Sequence, residues 1–189
     1  MRWLRLLAMA AVALLLASCA TPARIGGTGP AFERTGRFAV SVRPADGPAQ
    51  AAQGNFAWRD TGAALRLDLL SPMGGVLARI LVEPGLAVLE RANGERERAE
   101  DPDALLAEVW GEAMPVAGLR AWIQGRPWTG SALASVRRDG QGRVTQLVQD
   151  GWTVSLSDYD DRGPGRLRLA RDQAGRRISL QLVADTDTP

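Results

Sequence analysis

The stretch L-R-L-D-L-L-S-P-M-G-G-V-L-A-R-I-L-V, residues 65 to 82, decides the fold. Leu65, Leu67 and Leu69 alternate with Arg66 and Asp68, the two-residue period of a strand with one buried face. Val76, Ala78, Ile80 and Val82 repeat that period, with Arg79 on the other face. Between the two runs, Ser71-Pro72-Met73-Gly74 places Pro second and Gly fourth, the preferences of a type I β-turn. Strand, turn and strand read as an antiparallel hairpin. Met73 lands near its tip, where a polar residue or Gly is usual. From the residues alone it either folds back on the core, is an incidental exposed residue, or meets an apolar partner outside.

The same period runs through most of the chain on both sides. Phe38, Val40 and Val42 alternate, as do Phe56 and Trp58, and Leu86 and Val88 open a further strand. Asn93-Gly94 is a hairpin signal, with a polar strand, Glu95 to Ala99, beyond it. The pattern then changes. Asp101-Pro102 pairs an N-cap acid with Pro at the first helical position. Leu105 with Val109, and Leu106 with Trp110, are four apart and share helix faces, and Gly111 closes the segment. A second helix is expected from about Pro115, carrying Val116, Leu119, Trp122 and Ile123 on one side and ending at Gly125 and Pro127. Strands resume at Leu133 to Arg138 and Arg143 to Gln149, around the turn Asp139-Gly140-Gln141-Gly142. Trp152, Val154 and Leu156 follow, then Leu167 and Leu169, then Ile178, Leu180 and Leu182. The reading is a mainly β chain, an antiparallel meander of about eleven strands around a helical insert. A curved sheet can turn its apolar concave face toward the helices, and incomplete filling leaves an apolar cavity. Trp58, Trp110, Trp122, Trp128 and Trp152 either pack as core or line it.

The two ends differ from this middle. Residues 1–18 have the plan of a secretory signal: Arg2 and Arg5, an apolar run from Leu6 to Leu16, then Ala17-Ser18. Leu16-Ala17-Ser18-Cys19 resembles the lipobox of bacterial lipoproteins, which implies diacylglycerol on the Cys19 thiol, cleavage before it and acylation of the new amine. One acyl chain binds a membrane marginally, whereas three make an anchor that does not come off unaided. Ala20 in that resemblance implies sorting to the outer membrane. Thr21 to Pro30 is rich in Gly and Pro, so residues 19–34 are expected to form the lipidated Cys and its tether. The charge of +2 falls to about zero without Arg2 and Arg5, which argues against a nucleic-acid binder. With no His and one Cys, a Ser-His-Asp triad, a His-based metal site and an internal disulfide are excluded. Asp158 with Asp160 or Asp161, beside Gly163-Pro164-Gly165, reads as a solvated turn and not as a catalytic acid pair.

Across residues 36–183 the chain resembles the LolB family. The residues that carry this are Gly54-x-Phe56-x-Trp58, Ser71-Pro72-Met73-Gly74, Met114-Pro115-Val116, Leu119-x-x-Trp122-Ile123-x-Gly125-x-Pro127, and Gln149-x-Gly151-Trp152-x-Val154 with Tyr159. The resemblance implies an unclosed antiparallel β-barrel covered by helices and enclosing an apolar cavity for acyl chains. It implies a monomer, not an enzyme and without cofactor or metal, anchored in the outer membrane and facing the periplasm. Its partners would be the periplasmic carrier LolA, lipoprotein acyl chains and outer-membrane lipid. Cys19 would carry the lipid. Met73, between Pro72 and Gly74, takes the place of an exposed apolar residue, usually Leu, on a protruding loop. Phe38, Val40, Phe56, Trp58, Leu67, Leu69, Trp122 and Trp152 are the cavity candidates. The end departs from the family, since Val183 leads into A-D-T-D-T-P where a Trp often follows the last strand. The domain is therefore expected over 35–183, with 184–189 as a tail. Two other readings stay open: a LolA-like soluble carrier, which the lipobox opposes, and an outer-membrane lipoprotein that binds or supports without transferring anything.

Overall fold

Each run of alternating apolar residues forms a strand in the computed structural model, which describes residues 31–110, 114–173 and 175–186. The strands are β1 (Phe32–Arg43), β2 (Gln50–Asp60), β3 (Leu65–Leu70), β4 (Val76–Glu83), β5 (Leu86–Arg91) and β6 (Arg96–Ala99), then β7 (Leu133–Arg138), β8 (Val144–Gln149), β9 (Trp152–Asp160), β10 (Gly163–Gln173) and β11 (Arg176–Ala184). Two helices lie between β6 and β7: α1 (Pro102–Trp110) and α2 (Val116–Trp122). The eleven strands make one sheet in the order β6-β5-β4-β3-β2-β1-β11-β10-β9-β8-β7. Every pairing is antiparallel, and the first and last strands meet at the centre. β6 and β7 are the two edges, so the barrel is unclosed.

The inner face follows the sequence period. Phe38, Phe56, Trp58, Leu65, Leu67, Ile80, Leu89, Val154, Leu167, Leu169, Ile178 and Leu182 are all buried. The helical insert supplies the facing wall with Leu105, Leu106, Met114, Val116, Leu119, Trp122 and Ile123. α1 starts where Asp101 predicts: its Oδ1 accepts the backbone N–H groups of Asp103 at 2.8 Å and Ala104 at 2.9 Å. α2 follows Pro115, which offers no side-chain cap, and Asp103 of α1 fills that need by accepting the N–H of Ala117 at 3.1 Å. α1 packs on β5, β6 and α2.

The register gives the barrel two unlike ends. Phe32 pairs with Asp60, and Asp60 with Leu65, at the end where the chain enters β1. Two ion pairs, each with one buried member, close this end. Arg34, 3% exposed, reaches Asp160 with both terminal nitrogens at 2.7 Å. Asp60, 4% exposed, accepts two bonds from Arg120 of α2, at 2.8 and 2.7 Å, and the N–H of Gly62 at 2.8 Å. The opposite end carries the β1–β2, β3–β4, β5–β6 and β8–β9 turns.

Two expectations are corrected here. Residues 32–34 belong to β1 and not to the tether. Glu33, Arg34 and Thr35 carry no apolar alternation, and only the fold shows that Arg34 points inward. The last strand reaches Ala184, and Asp185 still pairs with Thr35 through its N–H to the Thr35 carbonyl at 2.9 Å. Asp160 is, as expected, an exposed residue at the β9–β10 turn, where it accepts the N–H of Arg162 at 2.9 Å, and it also holds the buried Arg34.

Candidate functional site

The loop joining β3 to β4 is braced by its own backbone. Gly74 donates to the Ser71 carbonyl at 2.9 Å, and Ser71 donates to the Gly75 carbonyl at 2.7 Å. The Ser71 hydroxyl accepts the N–H of Gly75 at 3.1 Å, and the Asn55 side chain donates to the Ser71 carbonyl at 3.4 Å. Gly74 has φ +88°, a conformation L side chains rarely adopt, which makes Gly the residue that closes this turn. Pro72 fixes the approach to the tip. Met73 does not fold back: it is 99% exposed. Val76 and Leu77, 41% and 45% exposed, extend the apolar surface beside it.

Behind the loop lies an apolar cavity of about 60 Å³. Phe38, Val40, Phe56, Trp58, Leu67 and Leu69 line it, six of the eight residues singled out from the sequence. Ile80, Leu180 and Leu182 complete the sheet side, and Leu106, Met114, Val116 and Leu119 close it from the helical insert. These seven were not singled out, although the inward parity of the strands and the spacing of Val116 and Leu119 carried the signal. Val40 and Leu69 are the partly exposed members, and both lie toward the Met73 end. As its walls stand the hollow is small, of the order of a few waters.

Trp122 and Trp152 do not line the cavity. Trp122 is 0% exposed and donates its indole N–H to Gln149 Oε1 at 3.0 Å, and Trp152, 1% exposed, lies under the Arg171 guanidinium at 5.8 Å from its ring. That bond fixes Trp122 away from the hollow, whereas the buried indole N–H of Trp58, which lines it, has no hydrogen-bond partner among the described residues. Gln149 itself is fully buried and uses every hydrogen-bonding position. Its oxygen also accepts the N–H of Trp128 at 3.0 Å, while its nitrogen donates to the carbonyls of Trp128 at 2.6 Å and Ser131 at 3.0 Å. Tyr159 donates to the Val144 carbonyl at 2.6 Å. The Gln149 bonds tie the segment after α2 to β8, and the Tyr159 bond ties β9 to it.

Asp103 is the unusual titrating group. Burial pushes its carboxyl up to about 6, against the Ala117 N–H that favours the charged form. Among the described residues no group of His, Cys, Asp and Glu forms a metal cluster, and no helix is long and apolar enough to cross a membrane. Cys19, with the whole of residues 1–30, lies outside the described residues.

Cavity, cover and exposed apolar tip define a class: unclosed antiparallel β-barrels with a helical cover over an apolar interior. The family model described as "Outer membrane lipoprotein LolB" matches residues 30–186. The outer-membrane lipoprotein LolB of Bordetella parapertussis is 48% identical over 184 residues, 96% of this chain and 92% of that protein. That of Cupriavidus necator is 40% identical over 185 residues, 93% of this chain and 92% of that protein. The chain belongs to the LolB family, which makes it an outer-membrane lipoprotein and not an enzyme. Among solved structures, the LolA superfamily protein NE2245 from Nitrosomonas europaea is similar with a TM-score of 0.42 and 10% identity, covering 83% of this chain and 87% of that one.

Proposed function

We propose that this protein, lipidated at Cys19, takes lipoproteins from the carrier LolA and passes their acyl chains into the outer membrane through its apolar interior. The observation that carries the reading is the fully exposed Met73, set on a braced loop at the end where the cavity walls are least covered. Exposing a sixteen-carbon chain to water costs on the order of 10 kcal/mol, so a handover needs an apolar path throughout. The helical side chains Leu106, Met114, Val116 and Leu119 now close the hollow against the sheet. An incoming chain replaces them against the sheet, and apolar contact is exchanged for apolar contact. The interior must hold chains more tightly than the carrier and less tightly than the bilayer; transfer then runs downhill without a nucleotide.

Met73 acts at the release step. Full burial of its side chain in lipid gains roughly 1.5–3 kcal/mol, enough to turn the loop end toward the bilayer. Met in place of Leu keeps this function, being similarly apolar and more adaptable. The test is Met73→Glu in purified protein. Binding of a fluorescent fatty acid and the melting temperature stay as in the parent, while delivery of a lipoprotein from LolA into liposomes falls at least tenfold. Delivery at the parental rate would overturn the role of the tip.

A further inference from the structure

The point where the chain enters the barrel and the Met73 tip lie at opposite ends of it. The chain enters the domain at Phe32, which pairs with Asp60 beside the half-buried Arg34–Asp160 and Asp60–Arg120 pairs. The tip follows Leu70, which pairs with Asn55, itself paired with Arg37. Five residues of β1 therefore separate the entry point from the level of Leu70, about 17 Å of strand, and Ser71 to Met73 project further. With strands tilted about 35–45° to the barrel axis, that length is about 13 Å of height, to which the loop adds its projection; if Met73 touches the membrane that holds Cys19, the entry point stands that far above the lipid. Twelve residues, 20–31, connect Cys19 to Phe32. Fully extended they span at most about 40 Å, and a flexible Gly-rich chain of that length averages roughly 17–21 Å.

We infer that the segment 20–31 is a reach element, its length matched to the barrel so that anchor and Met73 tip engage the same membrane from opposite ends of the domain. This rests on the proposed lipidation of Cys19 and lipid contact of Met73. Connection at the tip end would need no such length; connection at the closed end does. A tether of five residues spans at most about 18 Å, too short once the loop's projection is added.

The experiment deletes residues 22–28, which leaves five residues between Cys19 and Phe32 and keeps Ala20 after the lipidated Cys. A second variant replaces the same seven residues with Gly and Ser at equal length. In each, and in the parent tether, Met73→Cys carries a fluorophore; Cys19 is the chain's one natural cysteine and its thiol is acylated, so the label has a single target. The lipidated proteins are placed in phosphatidylethanolamine–phosphatidylglycerol vesicles containing a lipid-borne quencher. Strong quenching is expected with the parent and Gly/Ser tethers, and at least a threefold loss of quenching with the deletion. Equal quenching in the deletion would overturn the inference while leaving lipid contact of the tip standing. No quenching with the parent tether would overturn both. Quenching that appears only when the quencher is confined to a second, protein-free vesicle population would show the tip reaching away from its own membrane, and would also overturn the inference.

Discussion

At residue scale, the polar group with most to lose is Gln149. Its amide serves one indole, one backbone N–H and two carbonyls. Gln149→Leu keeps the volume and strands those partners in a dry interior, where each unsatisfied group costs about 1–3 kcal/mol. The expected loss is at least about 2 kcal/mol in urea unfolding, and a change below about 0.5 kcal/mol would refute the network's role. The sequence marked Gln149 as the end of a strand and as part of the LolB resemblance, not as a buried hydrogen-bonding centre. A polar residue with apolar neighbours on a β-strand normally faces water, and its partners come from a segment some twenty residues earlier. Met73 was more legible, because turn chemistry placed it at a tip before any tertiary contact was known. Whether it stayed there depended on the bonds among Ser71, Gly74 and Gly75, which fix the tip away from the core.

At the scale of elements, α1 and α2 stand on one carboxylate and one missing side chain. Asp103 joins them, and its folded pKa of about 6 lies above the ordinary 3.8. The native state thus holds the extra proton, so this contribution to stability is full below about pH 4 and is lost as pH rises through about 6. Asp103→Asn is neutral throughout and still offers an oxygen to Ala117. The melting temperature of Asp103→Asn should rise relative to the parent between about pH 4 and pH 6.5 and hold a constant offset above that. A pH-independent offset across that range would contradict the assignment. Gly118 is the missing side chain: a Cβ there would meet the Trp122 ring at 2.6 Å, and that ring is buried and tied to Gln149. Helix propensity alone favours Gly118→Ala by up to about 1 kcal/mol. Overpacking against a ring that cannot move should reverse the sign, to a net loss of about 1–3 kcal/mol by chemical denaturation. A gain in stability would show that Trp122 yields. The start of α1 was legible from Asp101-Pro102, and α2 from the spacing of Val116 and Leu119. The cap lent by α1 to α2 was not, since it joins residues 14 apart on two different helices.

For the whole molecule, alternation announced about eleven strands and their antiparallel sense, because each strand buries one face. It did not announce that β1 pairs with β11, which makes one continuous sheet of two meanders. Nor does inward parity say which part of the interior a residue meets. Phe56 and Trp58 face the hollow from the β1–β4 side, while Trp152, equally inward, packs in the other half. The closed end was illegible for a similar reason: Arg34 and Asp160 lie 126 residues apart, and each looked like a surface charge. Together these features give the molecule a direction, bolted at one end and apolar at the other, which the proposed transfer requires. The most direct test places a photo-crosslinking phenylalanine analogue at Phe56, inside the cavity, or at Arg37, on the exposed outer face, and presents a lipoprotein bound to LolA. On illumination, the Phe56 probe should join the lipoprotein's acyl chains and the Arg37 probe should not. An acyl crosslink absent at Phe56, or equal at both positions, would mean that the interior never receives the chain.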